Sequence, residues 1–215
     1  DVDGGTIKLD GNYPVGSNNV ALGDAALASG SLSGGDNTAI GFQALTTNTS
    51  GTVNTAVGGD ALRYNTTGGN NASLGVNALK QNTSGSYNTG IGRSALQSNT
   101  TAAANTAVGY QALTTNTTGG DSAAFGYQAA QSNTTGSYLT AIGRQALYNN
   151  TTSSENTAVG YQAMYNMSST GDANKSTAVG YKAGYTSTHN VDAFGSQALY
   201  SNTTGVLSVA IGREA

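Results

Sequence analysis

The stretch Asn105–Gly119 reads NTAVGYQALTTNTTG, and close copies of it follow one another along nearly the whole chain of 215 residues. In most copies the glycine of the NTAVG segment lies 17 residues after the glycine of the copy before it. A fixed short period of this kind is typical of proteins in which one structural unit is stacked many times. We number each repeat from this glycine as position 0, and twelve glycines mark the repeats: Gly23, Gly41, Gly58, Gly75, Gly92, Gly109, Gly126, Gly143, Gly160, Gly180, Gly195 and Gly212.

The length of the repeat and its turn residues favour strands over helices. Helical repeats need about 33 residues or more, and Gly and Asn are poor helix formers while NTTG is typical of turns. We therefore expect an all-β fold, a parallel β-solenoid or β-roll of twelve coils with about 17 residues each. Each coil should hold two short strands, one in Thr-Ala-Val and one around Gln-Ala-Leu, with a bend at the glycine. Coils stacked about 4.8 Å apart would make a rod roughly 50 Å long.

The residues beside the glycine suggest which side chains fill the interior. Position −1 always holds a large apolar residue such as Val108, and position −2 holds a small one such as Ala107. Alanine also occupies position +3 in every repeat, and leucine is the commonest residue at +4. Because neighbouring side chains of a strand point to opposite faces, we expect the −1 and +4 side chains inside and the alanines on a flat outer face. Two large apolar side chains per coil make a thin core, so this face should pack against other copies of the chain.

Composition and charge exclude several classes of function. A net charge of −3 argues against a nucleic-acid partner, which needs a basic stripe. No run of 18 apolar residues is present, so we expect no membrane insertion in this segment. The chain has no cysteine for a disulfide framework or a thiolate metal site, and acidic residues do not recur with the period as a calcium-binding solenoid requires. His189, the only histidine, has no catalytic motif around it, and we expect no metal, no cofactor and no enzymatic activity.

Asparagine recurs at position +7, where it is followed by a hydroxyl residue two positions later. This pattern has two interpretations. It matches the acceptor sequence for N-glycosylation, and it also matches a stack of turns whose asparagine side chains bond to one another as a ladder. The residues concerned are Asn48, Asn65, Asn82, Asn99, Asn116, Asn133, Asn150 and Asn202.

Tyrosine occupies position +1 in four repeats, at Tyr110, Tyr127, Tyr161 and Tyr181. Tyrosine rings can contact sugar rings, which makes these residues candidates for glycan contacts. The alternative is that they stack on one another along the rod. The threonine pairs that follow the asparagines suggest an ice-binding array as a further interpretation, although only one threonine of each pair can line a flat face.

The repeat array has a beginning and one irregularity. Residues 1–18 do not fit the period and are expected to form a lead-in strand or neck before the repeat shaft of residues 19–215, whose last unit stops part-way. The interval between glycines is 20 residues from Gly160 to Gly180 and 15 from Gly180 to Gly195. We expect Met164–Lys175 to bulge outward there as a loop.

Parts of the repeat resemble known families. The segment NVALGDAA at Asn19–Ala26 resembles the head repeats of YadA-like trimeric autotransporter adhesins, the haemagglutinin-type repeats. Units such as Asn105–Gly119 resemble shaft repeats of bacteriophage tail fibres, as does the lead-in Thr6–Pro14. The resemblance implies a left-handed β-roll in which three identical chains wind about one axis, outside the cell or on a virion.

The resemblance also implies what such a chain does. We expect the structural shaft of a phage tail fibre or similar extracellular appendage, whose partner is itself as a homotrimer or fibre and which presents a host-attachment tip. Two alternatives stay open. One is a trimeric adhesin head that binds host-surface glycans or matrix, and the other is an ice-binding β-solenoid.

Overall fold

The structure is a computed structural model that describes residues 18–167 and 174–215. The expected lead-in therefore lies outside the described residues except for Asn18. The described chain consists of short strands joined by tight turns and contains no helix. The strands are β1 Val20–Leu22, β2 Thr38–Ile40, β3 Thr55–Val57, β4 Ala72–Leu74, β5 Thr89–Ile91, β6 Thr106–Val108, β7 Ala123–Phe125, β8 Thr140–Ile142, β9 Thr157–Val159, β10 Asn166–Met167, β11 Thr177–Val179, β12 Thr186–Ser187, β13 Val191–Phe194, β14 Ser201–Asn202 and β15 Ser208–Ile211.

One parallel sheet of twelve strands extends through the described residues from Val20 to Ile211. It contains β1 to β9 and then β11, β13 and β15, each paired with the strand of the next coil. The register follows the sequence period, so that Ala107 lies beside Ala124. It also absorbs the irregular intervals, because Ala158 pairs with Ala178 and Ala178 with Ala193. The prediction of a parallel β-solenoid with coils of about 17 residues is confirmed, and the twelve strands are separated by eleven coil-to-coil steps.

The interior is narrow and is filled by small side chains and leucine. The alanines at −2 and +3 and the leucines at +4 are almost all fully buried, as are Ala107, Ala112 and Leu113 of one coil. Positions −2 and +4 face each other across the coil, because a Cβ on Gly90 would lie 3.2 Å from Cγ of Leu79. The buried leucine column agrees with the expectation from sequence.

The orientation predicted for the other columns is wrong. The large apolar side chains at −1 point outward and none of them is buried, whereas the alanines line the interior. The physical reason is the width of the coil, since a strand that faces a leucine column at close range has room only for a methyl group. We call the outward column the apolar ladder, and it comprises Leu22, Ile40, Val57, Leu74, Ile91, Val108, Phe125, Ile142, Val159, Val179, Phe194 and Ile211.

The second strand expected around Gln-Ala-Leu is also absent from the described coils. That segment forms a tight turn in which the +2 and +4 residues adopt the left-handed conformation, with φ of 56° at Gln111 and 49° at Leu113. The alternation turns both Ala112 and Leu113 into the interior. A left-handed residue other than glycine costs about 1–2 kcal/mol, and the burial of the leucine side chain offsets that cost.

The first residues of the loop expected at Met164–Lys175 belong to the coil instead. Met164 occupies the interior column at +4, and Met167 in β10 is also buried, at 2% exposure. Both side chains take part in the core of the coil because they stand in the columns that leucine and asparagine hold elsewhere. Residues 168–173 of the expected loop lie outside the described residues.

Candidate functional site

The marker glycines form a column in which adjacent coils come into backbone contact. At Gly75 φ is 136°, and a Cβ there would lie 2.7 Å from the carbonyl carbon of Gly92 in the next coil. The other marker glycines have φ between 121° and 140°. Both the backbone conformation and the close approach therefore require glycine in this column. The column fixes the spacing of the coils and does not present a side chain to a ligand.

The asparagines at +7 form a buried ladder along the axis. Nδ2 of Asn65 donates to Oδ1 of Asn48 at 2.8 Å and to the carbonyl of Gly68 in its own coil at 2.9 Å. The same pair of bonds recurs in each coil from Asn65 to Asn150, and these side chains are fully buried. Glycosylation replaces one of the two Nδ2 hydrogens and would therefore break at least one of these bonds, and the fully buried side chain leaves no room for a sugar. Asn202 lies apart from this ladder and bonds to Gly205 in its own coil.

A second asparagine ladder occupies position −4, which the sequence reasoning did not single out. Oδ1 of Asn37 accepts from the backbone N–H of Asn54 at 2.9 Å, and Nδ2 of Asn54 donates to the carbonyl of Gly68 at 2.9 Å. Where position −4 holds asparagine, its side chain thus replaces a backbone partner just before the strand. The repeated asparagine before Thr-Ala-Val was the available signal.

The threonine pairs divide as alternation predicts, with one residue turned toward the backbone and one exposed. The Oγ1 of Thr66 at +8 donates to the carbonyl of Thr83 at 2.9 Å, and this bond recurs along the column. The +9 residue, such as Thr67 or Thr118, is exposed. The +8 hydroxyl hydrogens are therefore engaged with the protein rather than with solvent.

The four tyrosines at +1 lie in one outer column. Tyr110 stacks on Tyr127 with ring centres 5.3 Å apart, and Tyr161 stacks on Tyr181 at 5.4 Å. Arg144 occupies the position between the pairs, with its guanidinium carbon 5.3 Å from the centre of Tyr127 and 5.9 Å from that of Tyr161. The ring faces of this outer tyrosine column are directed mainly at other side chains of the column.

A second tyrosine column, which sequence reasoning missed, runs parallel to the first at position +5. It consists of Tyr148, Tyr165, Tyr185 and Tyr200, whose ring centres are 4.9 to 5.2 Å apart and whose planes differ by 2° to 5°. Burial, and then the neighbouring Tyr148 and Tyr185, raise the pKa of Tyr165 above its usual value. The common offset of five residues from each glycine was the signal that could have found this inner tyrosine column.

Glutamines at +2 lie between the two tyrosine columns. Nε2 of Gln128 donates to Oε1 of Gln111 at 3.1 Å, and the bond recurs from Gln145 and from Gln162. Lys182 takes the same position in the next coil. Its Nζ lies 5.5 Å from the ring centre of Tyr181 and 5.3 Å from that of Tyr185.

The ammonium of Lys182 is charged at neutral pH. Loss of water around it acts to lower its pKa, whereas Tyr181, Tyr200 and Tyr185 raise it by more, so that the pKa lies above its ordinary value. Lys182 therefore adds a fixed positive charge between the two tyrosine columns.

The remaining charged groups are sparse and mostly paired. Asp60 contacts Lys80 at 2.9 Å and Arg63 at 3.3 Å. His189 is partly exposed, and its Nδ1 lies 2.9 Å from the hydroxyl of Thr188. Among the described residues no three acidic, histidine or cysteine side chains come together as a metal site would require.

The ladders are thus defined by the chain's own contacts. No family model, curated protein or solved structure matches this chain. In the part of the chain that the structure describes, no helix has the length and apolar character needed to cross a membrane.

Proposed function

We propose that this chain is the shaft of an extracellular or virion fibre, such as a phage tail fibre. In this proposal three copies wind about one axis as left-handed β-rolls and present a host-attachment tip. The observation that carries the proposal is the apolar ladder on the outer face of the sheet. The number three and the handedness come from the resemblance of the repeats to fibre and adhesin sequences.

The apolar ladder has the character of a surface that another protein covers. Leu74 is 50% exposed, and Phe125 and Ile142 are 40% and 41% exposed. Asp192 is the only charged residue in the described strands of the long sheet. A continuous apolar stripe of this length is uncommon on soluble monomers and typical of interaction sites.

A second copy of the chain is the natural occupant of this stripe. Each copy presents the same flat column with the same coil spacing, so the side chains of one ladder can pack between those of another along its whole length. Twelve strands of about three residues give a face of roughly 50 by 10 Å, or about 500 Å². That area is of the order of the roughly 800 Å² per partner that stable interfaces bury.

Assembly and fold also suit a mechanical role. The interior is held by continuous hydrogen-bond ladders that run parallel to the long axis, as in the chain of bonds from Asn48 to Asn150. Stacked repeats of this kind build length and surface in proportion to their number. A rod that contacts its copies along the apolar ladder would be stiffened against bending.

Sedimentation equilibrium tests the proposal. The native chain should sediment as a multiple of its 21.4 kDa mass, and as about 64 kDa (three times 21.4) if the trimer is correct. The double variant Val108→Asp, Ile142→Asp should be a folded monomer, because these side chains point outward and neither is buried in the single chain, and charge opposes their burial in an assembly. The matched control Thr118→Asp, Thr135→Asp changes exposed +9 residues and should assemble like the native chain. A native chain that stays monomeric at hundreds of micromolar would contradict the proposal.

The adhesin alternative is favoured by one separate observation, the two tyrosine columns on the side of the rod. The full-length gene distinguishes the two. A signal peptide with a C-terminal membrane anchor would indicate an adhesin, whereas neighbouring virion genes and a C-terminal chaperone segment would indicate a phage fibre.

A further inference from the structure

The two tyrosine columns and the residues between them form one continuous surface. The outer column at +1 extends from Tyr110 to Tyr181 and the inner column at +5 from Tyr148 to Tyr200, with the glutamine column at +2 between them. The two tyrosine columns overlap in the coils of Gly143, Gly160 and Gly180, and together they reach from the coil of Gly109 to that of Gly195. We call this surface the tyrosine strip. Its length of about six coils corresponds to roughly 25–30 Å at the usual strand spacing, which suits an extended ligand better than a compact one.

The stacking of the rings determines which of their groups are accessible to a ligand. Because the rings of the inner column lie face to face at about 5 Å, their faces contact each other and their edges and hydroxyl groups point outward. The edge of an aromatic ring carries partial positive charge and its face partial negative charge. A column of ring edges is therefore attractive to negatively charged or strongly polar groups.

The charges within the strip have the same sign. Arg144 and Lys182 lie in it, and none of its positions in these coils holds a carboxylate. Each glutamine amide has a second N–H beyond the one that bonds along the column. The strip thus combines two cations, a row of amide donors and two rows of phenol hydroxyls, although the protein as a whole carries a net charge of −3.

We propose that the tyrosine strip binds an extended acidic polysaccharide that lies parallel to the rod axis, with a carboxylate of the ligand at Lys182. The amides and phenols bond the sugar hydroxyls, and the cations and ring edges select the charged polymer. Binding requires only that the strip stays outside the assembled shaft. Position +1 lies near the apolar ladder, which is at −1. Assembly along that ladder would therefore leave the tyrosines at +5 and Lys182 farther from the interface than the tyrosines at +1.

Other ligands fit the geometry less well. Neutral sugars and proline-rich peptides pack on the faces of aromatic rings, which are covered here. Single-stranded nucleic acid needs free ring faces for base stacking and a groove of many cations, and the strip holds two. An acidic sugar polymer needs donors and a moderate positive charge, which the strip provides.

A matched pair of polymers tests the proposal directly. Linear polygalacturonate carries a carboxylate on each sugar, and its methyl ester is the same chain without charge. In affinity electrophoresis or biolayer interferometry, the native protein should bind polygalacturonate, and binding should weaken as salt is added. The methyl ester should bind at least 10-fold more weakly. No binding to polygalacturonate, equal binding to the ester, or tighter binding of single-stranded DNA would each overturn the proposal.

Substitutions locate the binding on the strip. Lys182→Gln introduces the residue that other coils hold at this position, so the fold should persist, and the affinity for polygalacturonate should fall by about 10-fold. The control Tyr87→Ser, Tyr138→Ser removes two tyrosines that are exposed outside the strip, at 67% and 62%, and should leave binding unchanged. An equal loss in this control would show that the strip is not the site. Sedimentation of the same variants shows separately whether assembly has changed, so a failure of the fibre proposal would be recognised as such.

Discussion

Two regions of the molecule differ in how they stabilise the bend at positions +6 and +7 of each coil. The first region comprises the coils from Gly41 to Gly143, and the second comprises the coils from Gly160 onward. In the first region a buried asparagine at +7 bonds to the coil before it and to the carbonyl at +10. In the second region positions +6 and +7 form the short strands β10, β12 and β14, which pair as a separate three-stranded sheet. Met167 and Ser187 stand there in place of asparagine.

A buried hydrogen-bond acceptor without a partner marks the boundary between the two regions. Oδ1 of Asn150, the last member of the ladder, is buried and has no hydrogen-bond partner, because Met167 follows in its column. The change coincides with the irregular glycine intervals of 20 and 15 residues. The coil-to-coil asparagine ladder therefore ends where the repeat length changes and the backbone pairing of β10, β12 and β14 begins, and Asn202 in β14 keeps only the bond to the carbonyl at +10 in its own coil.

The largest effect is expected where the two regions are alike, in the glycine column. Gly75→Ala and Gly180→Ala should each cost more than about 4 kcal/mol of unfolding free energy, because a Cβ would lie 2.7 Å from the carbonyl carbon of the next coil in both cases. Urea denaturation followed by circular dichroism measures the loss. Gly59→Ala is the control, since nothing lies within 4 Å of its added Cβ, and a large loss there would contradict the explanation.

In the asparagine ladder, a residue in the middle makes more hydrogen bonds than the residue at its end, and the two should differ in their contribution to stability. Asn116 donates to Asn99 and to Gly119 and accepts from Asn133, whereas Asn150 donates two bonds and accepts none. At about 1 kcal/mol for each bond, Asn116→Ala should cost about 3 kcal/mol and Asn150→Ala about 2 kcal/mol. The same denaturation experiment compares them. If Asn150→Ala proved the more costly, the ladder would not end where the structure ends it.

One substitution should stabilise the regular region. Val53 adopts φ of 58° and is 51% exposed, so its β-branched side chain is strained without being buried. Val53→Asn should raise the unfolding free energy by about 1 kcal/mol, since Asn70 holds the same position in the next coil with φ of 58°. A thermal midpoint that stays the same or falls would show that Val53 contributes a contact that compensates for the strain.

The smallest expected effect on stability is a loss at alkaline pH, which should arise only in the second region. The pKa of Tyr165 is raised by burial and by its tyrosine neighbours, so folding favours the neutral phenol. Its contribution to stability is complete below about pH 10, the value for an unfolded tyrosine, and is lost as pH rises through the higher folded pKa. The thermal midpoint should fall above pH 10, and Tyr165→Phe should reduce that fall. An equal fall in the variant would place the sensitivity elsewhere.

Much of the fold could be predicted because the repeat is so regular. The glycine column, the parallel strands and the buried leucines at +4 all follow from the period and from turn chemistry. The orientation of the strand could not be obtained in this way. Alternation places Ala107 and Val108 on opposite faces but does not say which face is inside, and hydrophobicity favoured the wrong one.

The turn after the glycine was mispredicted for a different reason. Leu113 with φ of 49° contradicts the usual preference of leucine, and only the packed coil makes that conformation favourable. The inner tyrosine column and the asparagines at −4 were present in the pattern and needed only the full comparison of columns. The contact between Lys182 and the tyrosines depends on adjacency across coils, which no local segment reveals.

Thiol labelling tests the central claim most directly, because the chain has no cysteine of its own. Ala107→Cys and Val108→Cys place a thiol on the inner and outer side of the same strand. In dilute folded protein the thiol at 107 should be protected and the thiol at 108 should react rapidly, and the latter should become protected at concentrations where the chain assembles. A thiol at 107 that reacts as fast as the one at 108 would contradict the inside-out arrangement. A thiol at 108 that stays fully reactive at every concentration would contradict assembly along the apolar ladder.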